Sequence, residues 1–456
     1  MTFLYSLAIR LFTFGIHAAA LLHPKARKWV AGRHDWRRRY REDFQRKGRV
    51  LWVHAASLGE FEQGRPVIEA FRVQFPDWQV VLTFFSPSGY EVRRHYPQAD
   101  FVAYLPADTP ANAADFLDII RPDAAIFVKY EFWFHYLAAL RQRSIPTLLV
   151  SALFRDRQPF FQPWGGFWRR GLRAFTHFFV QNEESARLLQ RIGFQNVTMA
   201  GDTRIDRVLQ LAAAVTENEI VQGFVAPPGP PVKGRDSIVQ DMNTHLPPQK
   251  EEETPMAQLH VLPPFTGGAR GAVLIAGSTW EADEKILIPV MVSAGNIWKV
   301  IIAPHEPSEK NVQRLLCYPQ TFRYSQASPE TLRTARWLVI DNVGMLNTLY
   351  RYGTVAYIGG GFGAGIHNTL EPAAFGLPVI FGPKFTKFAE ARAFVDRGAA
   401  FPVCNTEELT AVLKRLADPA YYQQASHAAR NFLGENRGAT ALILAFLEKM
   451  IAGADH

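Results

Sequence analysis

Glu60 is the residue whose position in the sequence is best suited to proton-transfer chemistry. It closes the segment HAASLGE, which follows the apolar run Val50–Val53 and precedes the helix-like stretch Phe61–Phe75. An apolar run before small residues predicts a buried parallel strand, and open α/β sheets bind ligands outside the carboxyl ends of such strands. A carboxylate there could serve as a general base, or could only favour the positive end of the next helix.

A glycine-rich segment in the second half of the chain predicts a phosphate-binding loop. Gly359–Gly365 follows the strand-like run Thr354–Ile358 and precedes the segment IHNTLE. Glycines let backbone amides approach a phosphate, and the next helix begins with a partial positive charge. Asn368 or Thr369 could cap that helix, and Glu371 could accept hydrogen bonds from a ribose or a base. The spacing fits neither G-x-G-x-x-G nor Walker A, which favours another phosphate-bearing nucleotide, although glycine-rich turns also occur without function.

Shorter polar segments follow other predicted strands. Glu131 could lie opposite Glu60 across the crevice of the first domain, and Arg204 in the segment GDTRID offers a cation. Arg204 could equally form a surface ion pair with Asp202 or Asp206, which contributes little energy. Polar residues at strand ends are common in loops, but their grouping at one edge predicts a site. The segments are Lys129–Trp133, Gly277–Glu281, Ala303–Pro307 and Asp341–Met345.

The elements that must position these residues alternate between strand-like and helix-like runs, which predicts βαβ units and parallel sheets. Helix-like runs include Ala111–Ile120 and Phe134–Arg143. The fold class is therefore α/β, with two doubly wound domains. The predicted strands are Val80–Phe84, Ala124–Val128, Thr147–Val150, Phe178–Gln181, Ala272–Ala276, Lys299–Ala303, Trp337–Ile340, Thr354–Ile358 and Pro378–Phe381.

A length of 456 residues exceeds one comfortable core and also predicts two domains. We place an N-terminal apolar and basic region at residues 1–49, a first Rossmann-like domain at 50–225 and a second at 271–456. Residues 226–270 carry repeated proline pairs and the charge run KEEE, so we interpret them as a flexible linker or insertion. The two cysteines, Cys317 and Cys404, show no metal-ligand spacing and no disulfide framework.

The N-terminal region predicts attachment to a membrane. Thr2–Leu22 is mostly apolar but contains Arg10 and His17, so it could span a bilayer or lie in its interface as an amphipathic helix. A cleaved signal peptide is disfavoured because no basic segment comes first. Basic residues crowd the stretch from Lys25 to Arg49, which should attract anionic lipid and places the bulk of the chain in the cytoplasm. A nucleic-acid-binding arm is the alternative explanation of this charge.

Taken in order, the motifs of the chain resemble the bacterial 3-deoxy-D-manno-octulosonic acid (Kdo) transferases. The resemblance runs from the N-terminal anchor to about Phe432, without the proline-rich insertion. The motifs that carry it are HAASLGE, YEFW, QNEE, GDTRID, GSTW, APHEP, DNVG and GIHNTLE.

This resemblance implies a GT-B fold, in which two Rossmann-like domains face a central cleft and the C-terminal domain holds the donor. The implied reaction transfers Kdo from CMP-Kdo to a lipid A precursor (lipid IVA) in lipopolysaccharide biosynthesis, at the cytoplasmic face of the inner membrane. It implies no metal or cofactor, because CMP leaves as a monophosphate that needs little chelation. Nucleic acid is not an expected partner.

The resemblance also implies roles for individual residues. Glu60 matches the catalytic base, Glu131 matches a second acidic site residue, and Arg204 stands where many members have lysine. Two departures concern the donor: this chain reads PHEP where many members read PRHP, and GM where they often read GE. The implied donor contacts are Ser278, Pro304, His305, Val343, Gly344, Met345, His367, Asn368, Thr369, Leu370 and Glu371.

Other functions remain compatible with the residues taken alone. A different two-domain nucleotide-sugar enzyme, such as an epimerase, would share the predicted sheets but would not need a membrane-directed basic region. A membrane-attached protein that binds nucleotide without turnover would not need Glu60 and Glu131. Release of free CMP would separate an enzyme from such a binding protein.

Overall fold

A computed structural model describes residues 2–214, 216–225 and 272–453, which form two compact units. Unit 1 contains the described residues up to Arg207 and those from Asn436 onward, and unit 2 runs from Val208 to Glu435. The predicted linker, residues 226–270, lies outside the described residues.

Unit 1 is built on a seven-stranded parallel sheet of order β3-β2-β1-β4-β5-β6-β7. Its strands are β1 Val50–Ala55, β2 Gln79–Phe84, β3 Phe101–Tyr104, β4 Ala124–Val128, β5 Thr147–Ala152, β6 His177–Val180 and β7 Val197–Met199. Its helices are α1 Thr2–Ala20, α2 Pro24–Ala31, α3 Trp36–Asp43, α4 Leu58–Gln74, α5 Pro87–Arg93, α6 Pro110–Ile120, α7 Phe134–Gln142, α8 Gly166–Leu172, α9 Glu183–Arg191 and α10 Thr203–Ala213, which continues into unit 2.

Unit 2 contains a second seven-stranded parallel sheet, of order β10-β11-β9-β8-β12-β13-β14. Its strands are β8 Ala272–Thr279, β9 Trp298–Pro304, β10 Thr321–Arg323, β11 Trp337–Val339, β12 Val355–Ile358, β13 Val379–Phe381 and β14 Ala400–Pro402. Its helices are α11 Glu219–Val225, α12 Glu281–Ser293, α13 Glu309–Leu316, α14 Leu346–Leu349, α15 Leu370–Ala374, α16 Ala389–Asp396, α17 Thr406–Leu416 and α18 Pro419–Glu435; α19 Ala439–Gly453 then returns to unit 1. Short 3₁₀ helices lie at Pro159–Phe161, Gly295–Ile297, Tyr324–Gln326, Thr331–Thr334 and Tyr350–Tyr352.

Burial of the central strands on both faces explains why their sequences are continuously apolar. All six residues of β1 are buried. Trp52 packs on one face of the sheet with Phe116 and Tyr136, and its neighbour Val53 belongs to the cluster on the opposite face. Successive side chains of a strand point to opposite faces, so both faces need apolar residues when helices cover both. The predicted α/β class with two doubly wound parallel sheets is confirmed.

The unit boundaries differ from the sequence-based domain bounds. The chain passes into unit 2 at Val208, before the predicted linker, and α19 belongs to unit 1 although it follows unit 2 in sequence. Ile443 and Leu447 of α19 are fully buried in the core cluster of unit 1. The Asp206 carboxylate accepts hydrogen bonds from the backbone amides of Gly438 (2.6 Å) and Thr440 (2.7 Å), which fixes the start of α19.

One face of helix α1 packs against the rest of unit 1. The Tyr5 hydroxyl donates to Asp108 (2.5 Å), and the Phe12 ring stacks on Phe85 at a centroid distance of 6.1 Å. The opposite face is exposed and apolar: Leu11 is 62% and Phe14 is 74% exposed. Within the described residues, α1 is the one helix long and apolar enough to cross a membrane.

Two arginines of the basic N-terminal stretch stabilise the fold. The buried Arg33 guanidinium donates to the carbonyl oxygens of Leu105 (2.7 Å) and Phe85 (2.8 Å) and lies 3.8 Å from the Trp29 ring centroid. Arg37 is ion-paired with Asp115 at 2.5 Å. The sequence-based count of basic residues therefore overstates the charge that this stretch offers to a partner.

Candidate active site

Glu60 lies beside the point where the sheet order of unit 1 reverses, between β1 and β4. Ligands of doubly wound sheets bind at such a switch point. Glu60 is half-buried in the first turn of α4, and the Ser57 hydroxyl at the start of this helix donates a hydrogen bond to its carboxylate. Burial raises the pKa of the nearby Tyr130 hydroxyl, and the Glu60 charge adds to that rise. The arrangement leaves a carboxylate at the sheet edge with one fixed hydrogen-bond donor.

Glu131, which follows β4, has partners other than Glu60. Its Oε2 accepts a hydrogen bond from Trp133 Nε1 (2.7 Å) and lies 3.2 Å from Nε2 of the fully buried His54. The other ring nitrogen of His54 lies 2.9 Å from the Thr83 hydroxyl oxygen. These contacts hold the Glu131 carboxylate in one orientation at the end of β4.

Arg204 forms the ion pair that the segment GDTRID suggested. Its Nη2 lies 2.7 Å and its Nε 3.0 Å from Oδ2 of Asp202. Burial by itself would raise the pKa of Asp202, but the Arg204 charge and hydrogen bonds, together with the Lys129 charge, hold this pKa below its usual value. Gln63 of α4 lies 3.3 Å from the same carboxylate, so Arg204 belongs to a network that adjoins the helix of Glu60.

In unit 2 the sheet order reverses between β8 and β12, and a buried aspartate joins the loops that follow these strands. Asp283 Oδ2 accepts hydrogen bonds from the backbone amides of Gly360 (2.9 Å) and Trp280 (3.0 Å). The Tyr357 hydroxyl donates to Oδ1 at 3.3 Å. A Cβ on Gly359 would lie 2.2 Å from the Ser278 carbonyl oxygen, so the backbones approach closely enough to require glycine.

Three aromatic rings form a stack at the same edge of unit 2. His305, which follows β9, lies between Trp280 and His367, with centroid distances of 4.6 and 4.4 Å and interplanar angles of 27° and 23°. Trp280 Nε1 donates to His367 Nε2 at 3.3 Å. Burial, with repulsion from His305, lowers the pKa of His367 to about 4.

The depressed pKa of His367 predicts an acid-sensitive unit 2. Unfolded histidine has a pKa near ~6.5, so the unfolded chain takes up a proton that the folded chain does not between that value and about 4. Stability is therefore lost as the pH falls through this window. We expect the fall in Tm between pH 7.5 and pH 5.0 to be smaller in H367N than in the wild-type chain. H427N, at an exposed histidine of α18, is the control and should show the wild-type fall. An H367N protein with the wild-type decrease would contradict this account.

The segment predicted to begin a phosphate-binding helix is only partly helical. The Asn368 side chain caps the turn, because Oδ1 accepts from the Leu370 amide (3.0 Å) and Nδ2 donates to Glu371 (3.0 Å). The helix that follows, α15, has five residues, and its N-cap Thr369 is buried with no side-chain cap bond. Of the two predicted caps, Thr369 occupies the N-cap position and Asn368 supplies the side-chain hydrogen bond. Because this helix is so short, its dipole would contribute little to binding an anion. The backbone amides of the loop are better suited to that role.

The remaining predicted donor contacts lie at the ends of strands β8 and β9 and on the loop before α14. Ser278 has a left-handed backbone conformation (φ 53°), and Pro304 is buried at the end of β9. In the next loop Val343 is 86% exposed and Gly344 has a φ of 97°. Met345 begins the turn into α14, where its sulfur lies 2.8 Å from the Asn342 side-chain nitrogen.

Sequence reasoning missed four residues that organise these edges: His54, Trp133, Trp280 and Asp283. His54, Trp133 and Trp280 lie inside segments that the sequence predicts to be functional, whereas Asp283 lies two residues beyond the segment Gly277–Glu281. A histidine inside an otherwise apolar strand is a signal for a buried polar partner, and it could have pointed to His54. An acidic residue three positions after a helix N-cap, as Asp283 is after Trp280, is a frequent helix-start signal, so its pairing with the distant Gly360 could not be read from position alone.

The fold defined by these two units is that of GT-B enzymes. The chain is similar to UDP-GlcNAc 2-epimerase from Neisseria meningitidis, with 17% identity, a TM-score of 0.55 and coverage of 88% of this chain and 100% of that one. It is also similar to MurG from Acinetobacter baumannii, with 13% identity, a TM-score of 0.50 and coverage of 88% and 99%. At these identities the similarity establishes the fold alone.

Sequence similarity indicates which family of enzymes the chain resembles. Residues 34–207 match the model of the family described as 3-deoxy-D-manno-octulosonic-acid transferase. Relatives with this name include those of Rickettsia bellii (24% identity; 84% of this chain and 83% of the relative covered), Haemophilus influenzae (24%; 87% and 86%) and Bordetella pertussis (27%; 87% and 86%). The chain is therefore similar to the Kdo transferases, which are glycosyltransferases, over more than 80% of its length.

Proposed function

We propose that the chain is an inverting glycosyltransferase that moves Kdo from CMP-Kdo to a lipid A precursor in lipopolysaccharide biosynthesis. The observation that carries the proposal is the Glu60 carboxylate at the switch point of unit 1, half-buried and bound by the Ser57 hydroxyl. The identity of the sugar is inferred from the name of the matching family. The donor nucleotide and the acceptor are inferred from the resemblance of the sequence motifs.

In the proposed reaction Glu60 removes the proton from an acceptor hydroxyl as that oxygen attacks the anomeric carbon of Kdo. The bond between this carbon and the phosphate oxygen breaks, and CMP departs with the electron pair on the opposite face, which inverts the configuration. Glu131 fixes the surroundings of the reacting sugar through its bonds to His54 and Trp133. Arg204, already paired with Asp202, offsets negative charge beside this edge.

The donor is proposed to bind at the carboxyl edge of the sheet of unit 2. Three features there suit a nucleoside monophosphate: the glycine-rich loop held by Asp283, the exposed Trp280 beside His305, and the Asn368–Glu371 turn. Backbone amides in a glycine-rich loop can bind a phosphate, and a ring stack offers a surface to the base. The proposal includes no metal and no cofactor besides the donor substrate.

Acceptor-dependent release of CMP tests this function. The full chain is incubated with freshly prepared CMP-Kdo, with and without a tetra-acylated lipid A precursor, and free CMP is measured. We expect release to require the acceptor and to be unchanged by EDTA. Release without acceptor would indicate a hydrolase, absence of release a nucleotide-binding protein, and loss of release in EDTA a metal-dependent reaction.

We further propose that the chain acts at the cytoplasmic face of the inner membrane, with α1 lying in the bilayer interface. Contacts at Tyr5 and Phe12 hold one face of α1 on unit 1. The opposite face exposes Leu11 and Phe14, which suits burial among acyl chains. Exposed basic residues such as Arg41 add attraction to anionic lipid.

A substitution on the exposed face of α1 tests this placement. Phe14→Asp should weaken binding of the full chain to vesicles that contain phosphatidylglycerol, because it places a charge among acyl chains. Val73→Asp is the matched control, since Val73 is 85% exposed on α4 in the same unit. Equal flotation of both variants with the vesicles would contradict the placement.

A further inference from the structure

A cavity of about 390 Å³ lies within unit 1, between α1, α7 and α8. Its size falls in the range of ~300–1,000 Å³ that is typical of ligand pockets. The cavity stays open because Ala138, Gly171 and Ala174 on its lining are small. A Cβ on Gly171 would lie 2.3 Å from the Phe134 ring, so this part of the wall requires glycine.

Packed aromatic rings give the cavity an apolar wall. Tyr5 meets Phe134 edge-on at a centroid distance of 5.1 Å, and Phe134 contacts Phe167 at 5.1 Å. The Tyr5 ring is held by its bond to Asp108, whose carboxylate also accepts from the His135 amide at 3.1 Å. The wall is therefore formed before any ligand binds, which lowers the entropy lost on binding.

Two arginines on the cavity lining supply positive charge. Arg141 and Arg170 are both exposed, and within the described parts of the chain neither guanidinium has a hydrogen bond or an ion pair. The neighbouring Arg169 differs, since it donates to the carbonyl oxygens of Phe160 (3.1 Å) and Gln162 (2.9 Å). An apolar cavity with two unpaired guanidinium groups suits a ligand with an alkyl chain and an anionic head.

We propose that this cavity binds one acyl chain of the anionic lipid acceptor, with Arg141 and Arg170 contacting its acidic groups. The inference rests on the proposed function and adds a binding site for the acceptor. Phe134 of the cavity wall directly follows Trp133, whose indole is bonded to Glu131 at 2.7 Å. That proximity favours the acceptor over a bilayer phospholipid as the occupant, because the acceptor is the lipid whose sugar has to reach the end of β4.

Filling the cavity tests the site without disturbing the core. Ala138 is exposed on α7, so Ala138→Trp inserts a ring into the cavity from its rim. We expect KM for the tetra-acylated acceptor to rise roughly tenfold, the loss expected when about two methylene groups are no longer buried. The kcat/KM for a fully deacylated, water-soluble acceptor should not change. Ala111→Trp on α6, an exposed alanine outside the cavity, is the matched control. Equal losses with both acceptors, or no loss with either, would overturn the proposal.

Direct binding separates failure of the site from failure of the proposed function. A dansylated undecanoic acid is titrated into the full chain and its fluorescence is followed, which needs no transfer activity. We expect A138W and the double variant R141Q/R170Q each to weaken binding roughly tenfold, with A111W and R94Q, at an exposed arginine outside the cavity, unchanged. The acylated acceptor should displace the probe, and phosphatidylglycerol at the same concentration should not. Equal displacement by both lipids would assign the cavity to bilayer lipid and overturn the proposal. Absence of probe binding to the wild-type chain would also overturn it.

Discussion

Replacing Glu60 by glutamine is expected to lower the rate of Kdo transfer by about 10²–10⁴-fold, the usual contribution of a general base. The amide keeps the size of the side chain and can still accept a hydrogen bond from the Ser57 hydroxyl, but it cannot take up a proton. The affinity for CMP should stay within about twofold of wild type, because the nucleotide is proposed to bind on unit 2. Steady-state transfer and CMP titration on the same preparation measure both quantities.

The alternative role of Glu60 makes a different prediction. If the carboxylate only complements the start of α4, E60Q should cost about 0.3–1 kcal/mol of stability and leave transfer intact. Glu62 provides the control: it lies in the same helix and pairs with Arg93 at 2.8 Å, so E62Q removes a charge without touching the proposed base. A folded E60Q protein that binds CMP and transfers Kdo as fast as E62Q would exclude the proposed mechanism.

Of the substitutions considered in unit 2, Asp283→Ala is expected to destabilise the structure most. It leaves the amides of Gly360 and Trp280 and the Tyr357 hydroxyl without their acceptor. A buried polar group without a partner costs about 1–3 kcal/mol, so the substitution should destabilise the glycine-rich loop by about 3 kcal/mol or more. Hydrogen exchange at the Gly360 amide should accelerate by about 10²-fold, and CMP affinity should fall with it.

The control for Asp283 is an aspartate with no such network. Asp396 is exposed at the end of α16, so D396A should change stability by less than about 0.5 kcal/mol. D283N should give an intermediate result, because its amide oxygen can replace Oδ2 and accept from both backbone amides, while its NH₂ group replaces Oδ1 and meets the Tyr357 hydroxyl, which then has to accept instead of donate. Unchanged exchange at Gly360 in D283A would show that the loop does not depend on this carboxylate.

The strands that carry the candidate site were predictable because they are buried on both faces. Ala124–Val128 is the observed β4 without change, and the predicted run Val50–Val53 extends by two residues to Ala55 in β1. Their parallel pairing places the segments that follow them at one edge of the sheet. Simple rules for apolar runs and switch points therefore predict that Glu60 and Glu131 follow neighbouring strands at this edge of the sheet.

Edge strands and long-range pairings were not predictable in the same way. Phe101–Tyr104 and Val197–Met199 have only three or four residues and are partly exposed, so they carry no continuous apolar run. The return of α19 to unit 1 depends on bonds between Asp206 and residues more than two hundred positions away. Neither periodicity nor local spacing encodes such contacts.

The predicted donor site departs at one position from the motif of the Kdo transferases that the sequence resembles, and the structure shows the surroundings of the residue found there. Where many members have an arginine, this chain has His305, and its ring lies between those of Trp280 and His367. A histidine in a ring stack offers a flat surface and two ring nitrogens that point apart, rather than the fork of donors that arginine presents to a phosphate. The glycine-rich loop and the Asn368 turn are therefore the stronger candidates for the proposed phosphate contact.

The product of the reaction tests the central claim most directly. The full chain is incubated with freshly generated CMP-Kdo and a tetra-acylated lipid A precursor, and the lipid is analysed by mass spectrometry. We expect lipid whose mass has increased by whole Kdo units, with one free CMP released for each Kdo unit added. Unmodified lipid in the presence of intact CMP-Kdo and folded enzyme would contradict it and point to a different donor or acceptor.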